Sequence, residues 1–300
     1  SRHRQRMKTR KMTRKTWLQG AAAGLALMMA GGTLAQQPTE LRVGLIPSED
    51  AQAMVRASQQ VMEQLAARTG MKVKPFVAND YNGVIEAMRS GKIDVAYFGP
   101  FSYVLASQLA NAEAFAIPVS KKSGQSSYQS ILITRKDKGL NTVAQLQGKT
   151  FAFVDPSSAS GHLFPKAGLK GQGVDTDTYF SRVIFSGSHD ASILAVANSK
   201  VDAAAVAEPI FFNAVAKGHV KAEDFLVVWR SQPIPESPMA WRKSLDATTK
   251  QKVATALAEI KGLPWGDRGE LNGFASTNDQ AYDVVRATAK TLNLDLGKMK

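Results

Sequence analysis

The sequence contains no cysteine among its 300 residues. Such a chain has no disulfide, no thiolate nucleophile and no cysteine-held metal site. The four histidines are His3, His162, His189 and His219, and no two of them have the spacing of metal ligands. Dinucleotide-binding and P-loop glycine motifs, G-x-S-x-G and H-E-x-x-H are absent as well. We therefore expect no metal, no cofactor and no enzyme activity.

The net charge of +13 is concentrated at the beginning of the chain. Residues 1–20 hold eight Lys and Arg and no acid, and the rest of the chain carries only +5. The remaining basic residues are scattered along the sequence and form no single stripe. This distribution predicts that nucleic acid is not a partner.

The basic stretch runs into an apolar segment at residues 20–30, which ends in small residues up to Ala35. A basic region, a short apolar run and a small-residue site are typical of a secretory signal peptide. The apolar run is shorter than the roughly 20 residues that span a membrane, and an uncleaved anchor is the alternative. We predict a signal peptide at residues 1–35 and a periplasmic mature chain.

After Pro38, short β-type runs alternate with segments of helical periodicity, which predicts parallel strands covered by helices. The predicted strands span residues 41–46, 72–77, 93–98, 126–135, 150–154, 182–185, 201–206 and 225–230. The predicted helices span residues 52–70, 81–90, 143–148, 160–171, 191–199, 210–217, 245–262 and 279–292.

The alternating segments form two units of similar size, and the chain is expected to cross between them twice, near residues 125–135 and 228–240. This predicts an α/β protein with two lobes, a two-strand hinge and a ligand cleft between the lobes. Lobe 1 is expected at 36–130 and lobe 2 at 131–230, and residues 231–300 return to lobe 1 with C-terminal helices. Such hinged lobes close around a ligand.

In the second unit, two of the loops that connect a strand to the following helix are polar. Residues 155–161 (DPSSASG) place the hydroxyls of Ser158 and Ser160 beside the free amides of a helix start, which suits an anionic oxygen. The alternative is that one serine is merely the N-cap. Residues 186–191 repeat the arrangement: Ser188 or Asp190 could cap the helix, and His189 would face the cleft.

Tyrosines follow the strands of the first unit. We select Tyr81 and Tyr97 as oxyanion donors, because a phenol can donate a hydrogen bond while its ring excludes water. Tyr128, on the crossover strand, is a weaker candidate. Phe98 and Phe101 are expected to be core residues.

These motifs, taken in order, resemble the phosphate/phosphite/phosphonate-binding proteins of ABC importers, which have a type II periplasmic binding fold. The resemblance rests on residues 43–47 (VGLIP), 79–84 (NDYNGV), 91–99 (GKIDVAYFG), 155–161 (DPSSASG), 186–190 (SGSHD), 200–206 (KVDAAAV) and 234–241 (IPESPMAW). It implies that the phosphono group is held by the hydroxyls of Ser158 and Ser160 and by the amides of Ala159 and Gly161. It also implies ligand contacts from Tyr81, Tyr97 and His189.

One departure from the family pattern concerns the tail of the ligand. Aminoalkylphosphonate binders hold the ammonium with an acid in a G-D-P segment, where this chain has Glu236-Ser237-Pro238. Ser237 in place of the acid favours phosphite, methylphosphonate or a related phosphonate. Asp190 or Glu236 could accept a hydrogen bond from a protonated P–OH. The role of Glu208 is left open.

The resemblance implies the solute-binding component of an ABC importer, which captures a small phosphorus oxyanion by hinge closure. Its partners would be the oxyanion and the permease and ATPase complex of the inner membrane. A monomer is expected, because the sequence ends soon after its last predicted helix. The alternative function is a periplasmic oxyanion sensor for a histidine kinase.

Overall fold

The computed structural model of the chain describes residues 39–298, which form one compact unit. The predicted signal peptide lies outside the described residues. The predicted segment boundaries at 35, 130 and 230 stay a prediction. Between residues 39 and 298, no helix combines the length and the apolar character needed to cross a membrane.

Thirteen strands and nine α-helices make up the described chain. The strands are Glu40–Leu45 (β1), Lys72–Val77 (β2), Val95–Tyr97 (β3), Ala112–Ser120 (β4), Ser127–Tyr128 (β5), Ser130–Arg135 (β6), Thr150–Phe153 (β7), Arg182–Phe185 (β8), Ala203–Ala207 (β9), Phe225–Arg230 (β10), Ile234–Pro235 (β11), Met239–Arg242 (β12) and Leu271–Ser276 (β13). The helices are Ala51–Thr69 (α1), Tyr81–Arg89 (α2), Pro100–Leu109 (α3), Phe164–Gly171 (α4), Thr176–Tyr179 (α5), His189–Ala197 (α6), Glu208–Ala216 (α7), Ala247–Glu259 (α8) and Asp283–Thr291 (α9).

The strands form two large sheets, and each sheet is the centre of one lobe. The sheet of the first lobe has the order β13-β4-β12-β3-β1-β2, and that of the second has the order β10-β6-β9-β7-β8. Strands β1, β2 and β3 run parallel, as do β7, β8 and β9, and the remaining strands are antiparallel. A separate antiparallel pair, β5 with β11, lies where the chain crosses between the lobes.

Local signals in the sequence account for where these elements begin and end. Helix α1 begins after Asp50, whose carboxylate accepts from the amide of Ala53 at 3.0 Å, and it ends at Gly70, which has φ +70°. Its buried face carries Met54, Val61 and Leu65 at helical spacing. Strand β9, with the sequence AAAVA, is buried along its whole length because its small side chains allow helices to pack closely on it.

Several predicted boundaries differ from the observed ones. The run 126–135, predicted as one strand, is interrupted at Gln129, because Tyr128 pairs with β11 while the strand from Ser130 onward joins the second sheet. Helix α6 begins at His189 instead of residue 191, since the Ser188 hydroxyl caps it by accepting from Ala191 N at 3.4 Å.

Four strands were not predicted: β4, the two-residue β11, β12 and β13. Strand β4 has the sequence AEAFAIPVS, in which alanine, glutamate and proline lower the β-propensity. Strand β12 is only four residues long and pairs with β3 and β4 on either side. These strands form because they pair with other strands that are distant in sequence. A local sequence pattern does not show such pairing.

The end of β7 and the first turn after it approach each other closely at Gly161. A Cβ atom built on Gly161 would lie 2.4 Å from Val154 Cβ, which is too short for any real contact. We therefore expect Gly161→Ala to lower the free energy of unfolding by about 1–3 kcal/mol through overpacking. Urea denaturation would measure this loss.

Gly171, at the end of α4, provides the matched control. A Cβ there meets no atom within 4 Å, and its φ angle is negative, so Gly171→Ala should be neutral or stabilising by up to about 1 kcal/mol. Equal effects of the two substitutions would contradict the close packing inferred at Gly161.

Candidate ligand-binding site

A small cavity lies between the two lobes, where several helices begin. It holds about 10 Å³ of water-accessible space, which is roughly the room that one water molecule needs. Its polar lining residues come from both lobes and from the crossover segments, and they are Ser48, Tyr81, Tyr128, Ser158, Ser160, His189, Ser237, Asp267 and Arg268. The predicted site residue Ala159 lines it as well.

The serine loop enters the cavity as a single turn of π-helix, Ala159–Leu163. The amide of Leu163 donates to the carbonyl of Ser158 at 3.0 Å, which widens the turn by one residue relative to an α-helix. Widened turns of this kind are frequent at functional sites. The turn brings Ser158, Ala159 and Ser160 to the cavity wall, and the first amides of a helix have no acceptor inside it.

Two groups of the serine loop already have partners within the protein. The amide of Gly161 donates to Ser158 Oγ at 2.9 Å, so Ser158 caps the turn. The Ser160 hydroxyl accepts from Tyr128 Oη at 3.3 Å. Ser158 is therefore an N-cap that also lines the cavity, and its contact with an anionic oxygen stays a prediction. The amide of Gly161, which was expected to face the ligand, has its acceptor in the loop.

His189 occupies the first position of α6, and its hydrogen bonds fix its tautomer. Its Nδ1 accepts from the amide of Ala207 at 3.0 Å, so the proton of the neutral ring is on Nε2. That Nε2 lies 3.5 Å from Ser158 Oγ, at the cavity wall. Burial lowers the pKa of His189 to about 4. The ring is therefore a neutral hydrogen-bond donor at neutral pH.

The three candidate tyrosines differ in what their hydroxyls contact. Tyr81 and Tyr128 line the cavity, and burial raises the pKa of both phenols, so they stay protonated donors. Tyr97 is completely buried, packs edge-on against Trp265, and donates to Asp267 Oδ1 at 2.8 Å. The structure thus gives the Tyr97 hydroxyl a carboxylate partner, while Tyr128, the weaker candidate, borders the cavity.

Two residues of the site, Asp267 and Arg268, were missed by the sequence analysis. They lie in the segment Gly266-Asp267-Arg268-Gly269, between α8 and β13, and both glycines have positive φ angles, +47° and +67°. The resulting tight turn points both side chains into the junction of the lobes. The only sequence signal for these two residues is an acidic and a basic residue between two glycines. This pattern is too common in loops to indicate a binding site.

Arg268 is buried between carboxylates and an aromatic ring. Its Nε donates to Glu236 Oε1 at 2.7 Å, and its guanidinium carbon lies 4.7 Å from the centre of the Tyr128 ring. Its Nη2 donates to Ser237 Oγ at 3.3 Å, and its Nη1 lies 2.9 Å from Asp267 Oδ1. Ser237 and Glu236, the residues in place of the family acid, therefore hold an arginine.

Tyr128, Glu236 and Arg268 also border a second cavity of about 860 Å³, beside the crossover strands. We call these three residues the dividing wall, since Tyr128 and Arg268 line both cavities. Glu208 borders the larger cavity and pairs with Arg230. Burial raises the pKa of Glu236, and the charge of Arg268 opposes that rise.

Direct hydrogen bonds join the lobes around the small cavity. The amide of His189 donates to the carbonyl of Ser48 at 2.8 Å. The amide of Asp50 donates to Asp190 Oδ2 at 3.0 Å, so Asp190 holds the rim of the site and does not line the cavity. The structure is therefore that of a closed form.

Glu49 adds a third link between the lobes. Its carboxylate accepts from Asn213 Nδ2 at 3.2 Å and from Lys217 Nζ at 3.3 Å, both on or next to α7. Burial, followed by the nearby charge of Asp267, raises the pKa of Glu49. Within residues 39–298, no cluster of three or more His, Asp or Glu is placed to hold a metal ion.

Comparisons with known proteins give matches over most of the described chain. A family model described as "ABC transporter, phosphonate, periplasmic substrate-binding protein" matches residues 43–282. The chain is 32% identical to the phosphate-import protein PhnD of Mycolicibacterium smegmatis, over 84% of this chain and 82% of that protein. It is also 32% identical to the phosphonates-binding periplasmic protein of Escherichia coli, over 76% of this chain and 68% of that protein.

Among solved structures, the chain resembles a binding protein component of an ABC phosphonate transporter from Pseudomonas aeruginosa. The identity is 29%, the TM-score is 0.76, and the match covers 84% of this chain and 85% of the other. This likeness confirms the predicted type II periplasmic binding fold with two lobes, a two-strand hinge and an interlobe cleft.

The two buried histidines, His162 and His189, should make stability depend on pH. Burial lowers the pKa of each from 6.5 to about 4 in the folded protein. As the pH falls from about 6.5 to about 4, the unfolded chain binds protons that the folded chain does not. The free energy of unfolding should therefore decrease over this range, by up to roughly 3 kcal/mol per histidine.

His162→Gln isolates one histidine, since His162 packs on Phe153 and does not line the small cavity. Chemical denaturation at several pH values should show a smaller loss between pH 6.5 and pH 4 for this variant than for the unsubstituted protein. An identical pH dependence of the two proteins would rule out the buried neutral state of His162.

Proposed function

The chain belongs to the family of phosphonate ABC-transporter periplasmic substrate-binding proteins, and from this premise we propose that it captures a small phosphorus oxyanion for an ABC importer. The observation that carries the proposal is the convergence of neutral hydrogen-bond donors on one cavity. The residues that line it with neutral hydroxyl, amide or imidazole donors are Tyr81, Ser158, Ala159, Ser160 and His189.

The same groups define the kind of ligand. Several fixed donors around a small space suit a compact anion with several oxygens, because charge-assisted hydrogen bonds are stronger than neutral ones. Phosphite and methylphosphonate are compact anions of this chemistry. An aminoalkyl tail is disfavoured because Glu236, the acid nearest the family position, already pairs with buried Arg268.

Closure of the two lobes completes the mechanism. The anion enters an open cleft, helix α2 of the first lobe and the π-helical turn of the second approach it from opposite sides, and the rim hydrogen bonds form. The permease and ATPase complex in the inner membrane then recognises the closed form. A monomer and ligand contacts from Ser158, Ser160, His189 and Ser237 are parts of this proposal.

We expect the mature chain to bind phosphite or methylphosphonate in isothermal titration calorimetry. Ser160→Ala should weaken binding by about 1–3 kcal/mol, because an anionic acceptor loses its donor. Ser157→Ala is the matched control in the same loop, since Ser157 does not line the cavity, and it should bind like the unsubstituted protein. A full panel of phosphite, hypophosphite, methylphosphonate, 2-aminoethylphosphonate and phosphate without any binding would refute the proposal.

The periplasmic location gives a separate prediction. If residues 1–35 are a signal peptide, mass spectrometry of the exported protein should show a chain that begins near Gln36. Recovery of the protein in the membrane fraction with an intact N-terminus would support the uncleaved anchor instead.

A further inference from the structure

Asp267 brings a negative charge to the wall of the anion cavity. Its side chain is 3% exposed, and it lines the cavity together with Ser158 and His189. Ser48 Oγ donates to Asp267 Oδ2 at 2.6 Å, and Tyr97 Oη donates to Oδ1 at 2.8 Å. The carboxylate is held in place from two sides, so it cannot swing away without giving up both hydrogen bonds.

An ionised carboxylate has acceptors only, and so does a fully ionised oxyanion. Two such groups in one desolvated cavity repel each other, and like charges in contact cost several kcal/mol. Arg268 does not cancel the repulsion, because Glu236 and Asp267 together already balance its single positive charge. A proton between the carboxylate and the ligand turns the repulsion into a hydrogen bond.

We propose that Asp267 selects ligands by their protonation, by accepting a hydrogen bond from a P–OH group. This inference rests on the proposed function and deepens it. Monoprotonated phosphonates and phosphite fit the site, whereas sulfonates and sulfate, which have the same shape but carry no proton near neutral pH, are rejected. Asp267 is thus a specificity-determining residue.

The acids that the sequence suggested for this role are placed elsewhere. Asp190 accepts from the amide of Asp50 at the rim, and Glu236 pairs with Arg268 within the dividing wall. Neither lines the small cavity. The charged or titratable groups around Asp267 are Glu49, Tyr81, Tyr97, Tyr128, His189, Glu236 and Arg268.

Tyr97 already donates to Oδ1 of Asp267 but does not line the cavity, so it does not replace a proton supplied from inside the cavity. His189 is neutral, its Nδ1 accepts from the amide of Ala207, and its Nε2 lies 3.5 Å from Ser158 Oγ. Glu49 lies outside the cavity lining and accepts from Lys217. We therefore assign a further hydrogen bond, one that reaches Asp267 from inside the cavity, to the ligand itself.

The test compares methylphosphonate with methanesulfonate. The two ligands have nearly the same shape, but only methylphosphonate carries a proton on one of its oxygens near neutral pH. Titration calorimetry of the unsubstituted mature chain at neutral pH should show a preference for methylphosphonate of about 100-fold or more. In Asp267→Asn, the amide can donate to an unprotonated oxygen. The preference should fall at least about 10-fold, mainly because methanesulfonate binds more tightly.

Glu236→Gln is the matched control, since it removes a carboxylate from the same arginine without changing the cavity wall. It should keep the preference of the unsubstituted protein for methylphosphonate over methanesulfonate. Thermal unfolding of both variants checks that each is folded before the comparison is made.

A second measurement needs no substitution. When the unsubstituted protein binds methylphosphonate at an alkaline pH, where the free ligand is a dianion, it should take up close to one proton per ligand. Titrations in two buffers of different ionisation enthalpy measure this number. Proton uptake near zero would overturn the assignment even if the Asp267→Asn variant failed to fold.

The remaining outcomes separate this inference from the proposed function. An unchanged preference in folded Asp267→Asn overturns the role of Asp267 while phosphonate binding stands. A selective loss of 2-aminoethylphosphonate in that variant would instead assign Asp267 to an ammonium group, and so also overturn it. If the unsubstituted protein binds no phosphorus oxyanion, the proposed function itself fails.

Discussion

The buried guanidinium of Arg268 is the constraint on which the junction of the lobes depends. A charge removed from water is tolerated only when it is paired and hydrogen-bonded, and removing one partner leaves the other uncompensated. Glu236 and Asp267 supply that pairing, and Tyr128 covers the face of the guanidinium. These residues come from the crossover region and from the loop after α8, so the ion pairs tie distant parts of the chain to one point.

Around that point, most of the polar side chains that line the cavity are neutral. His189 is uncharged because burial lowers its pKa to about 4, and the pKa values of Tyr81 and Tyr128 are raised by burial. The charged side chains that line the cavity, Asp267 and Arg268, are paired with each other. A site of this kind discriminates by the position of its protons, whereas a free cation would attract any anion of suitable size.

The sequence predicted the parts of this structure that depend on local patterns. The strand–helix alternation, the cap at Ser188, and the approach of Tyr81, Ser158 and His189 to one place follow from periodicity and from the topology of parallel sheets. Strands β4, β12 and β13 were missed because they form through pairing with neighbouring strands of the sheet, and their own sequences show no clear strand pattern. Asp267 was missed for the same reason, since it meets Ser48 from 219 residues away.

The hydrogen bond from the amide of His189 to the carbonyl of Ser48 uses backbone atoms only. Together with the Asp50–Asp190 bond, it stabilises the closed form whether or not a ligand is present. Each such bond raises the share of empty molecules that are closed. An importer that recognises closed binding proteins would then hydrolyse ATP without cargo. Stronger rim bonds would raise the affinity for the ligand, but they would also increase the hydrolysis of ATP without transport. This cost sets a limit on their strength.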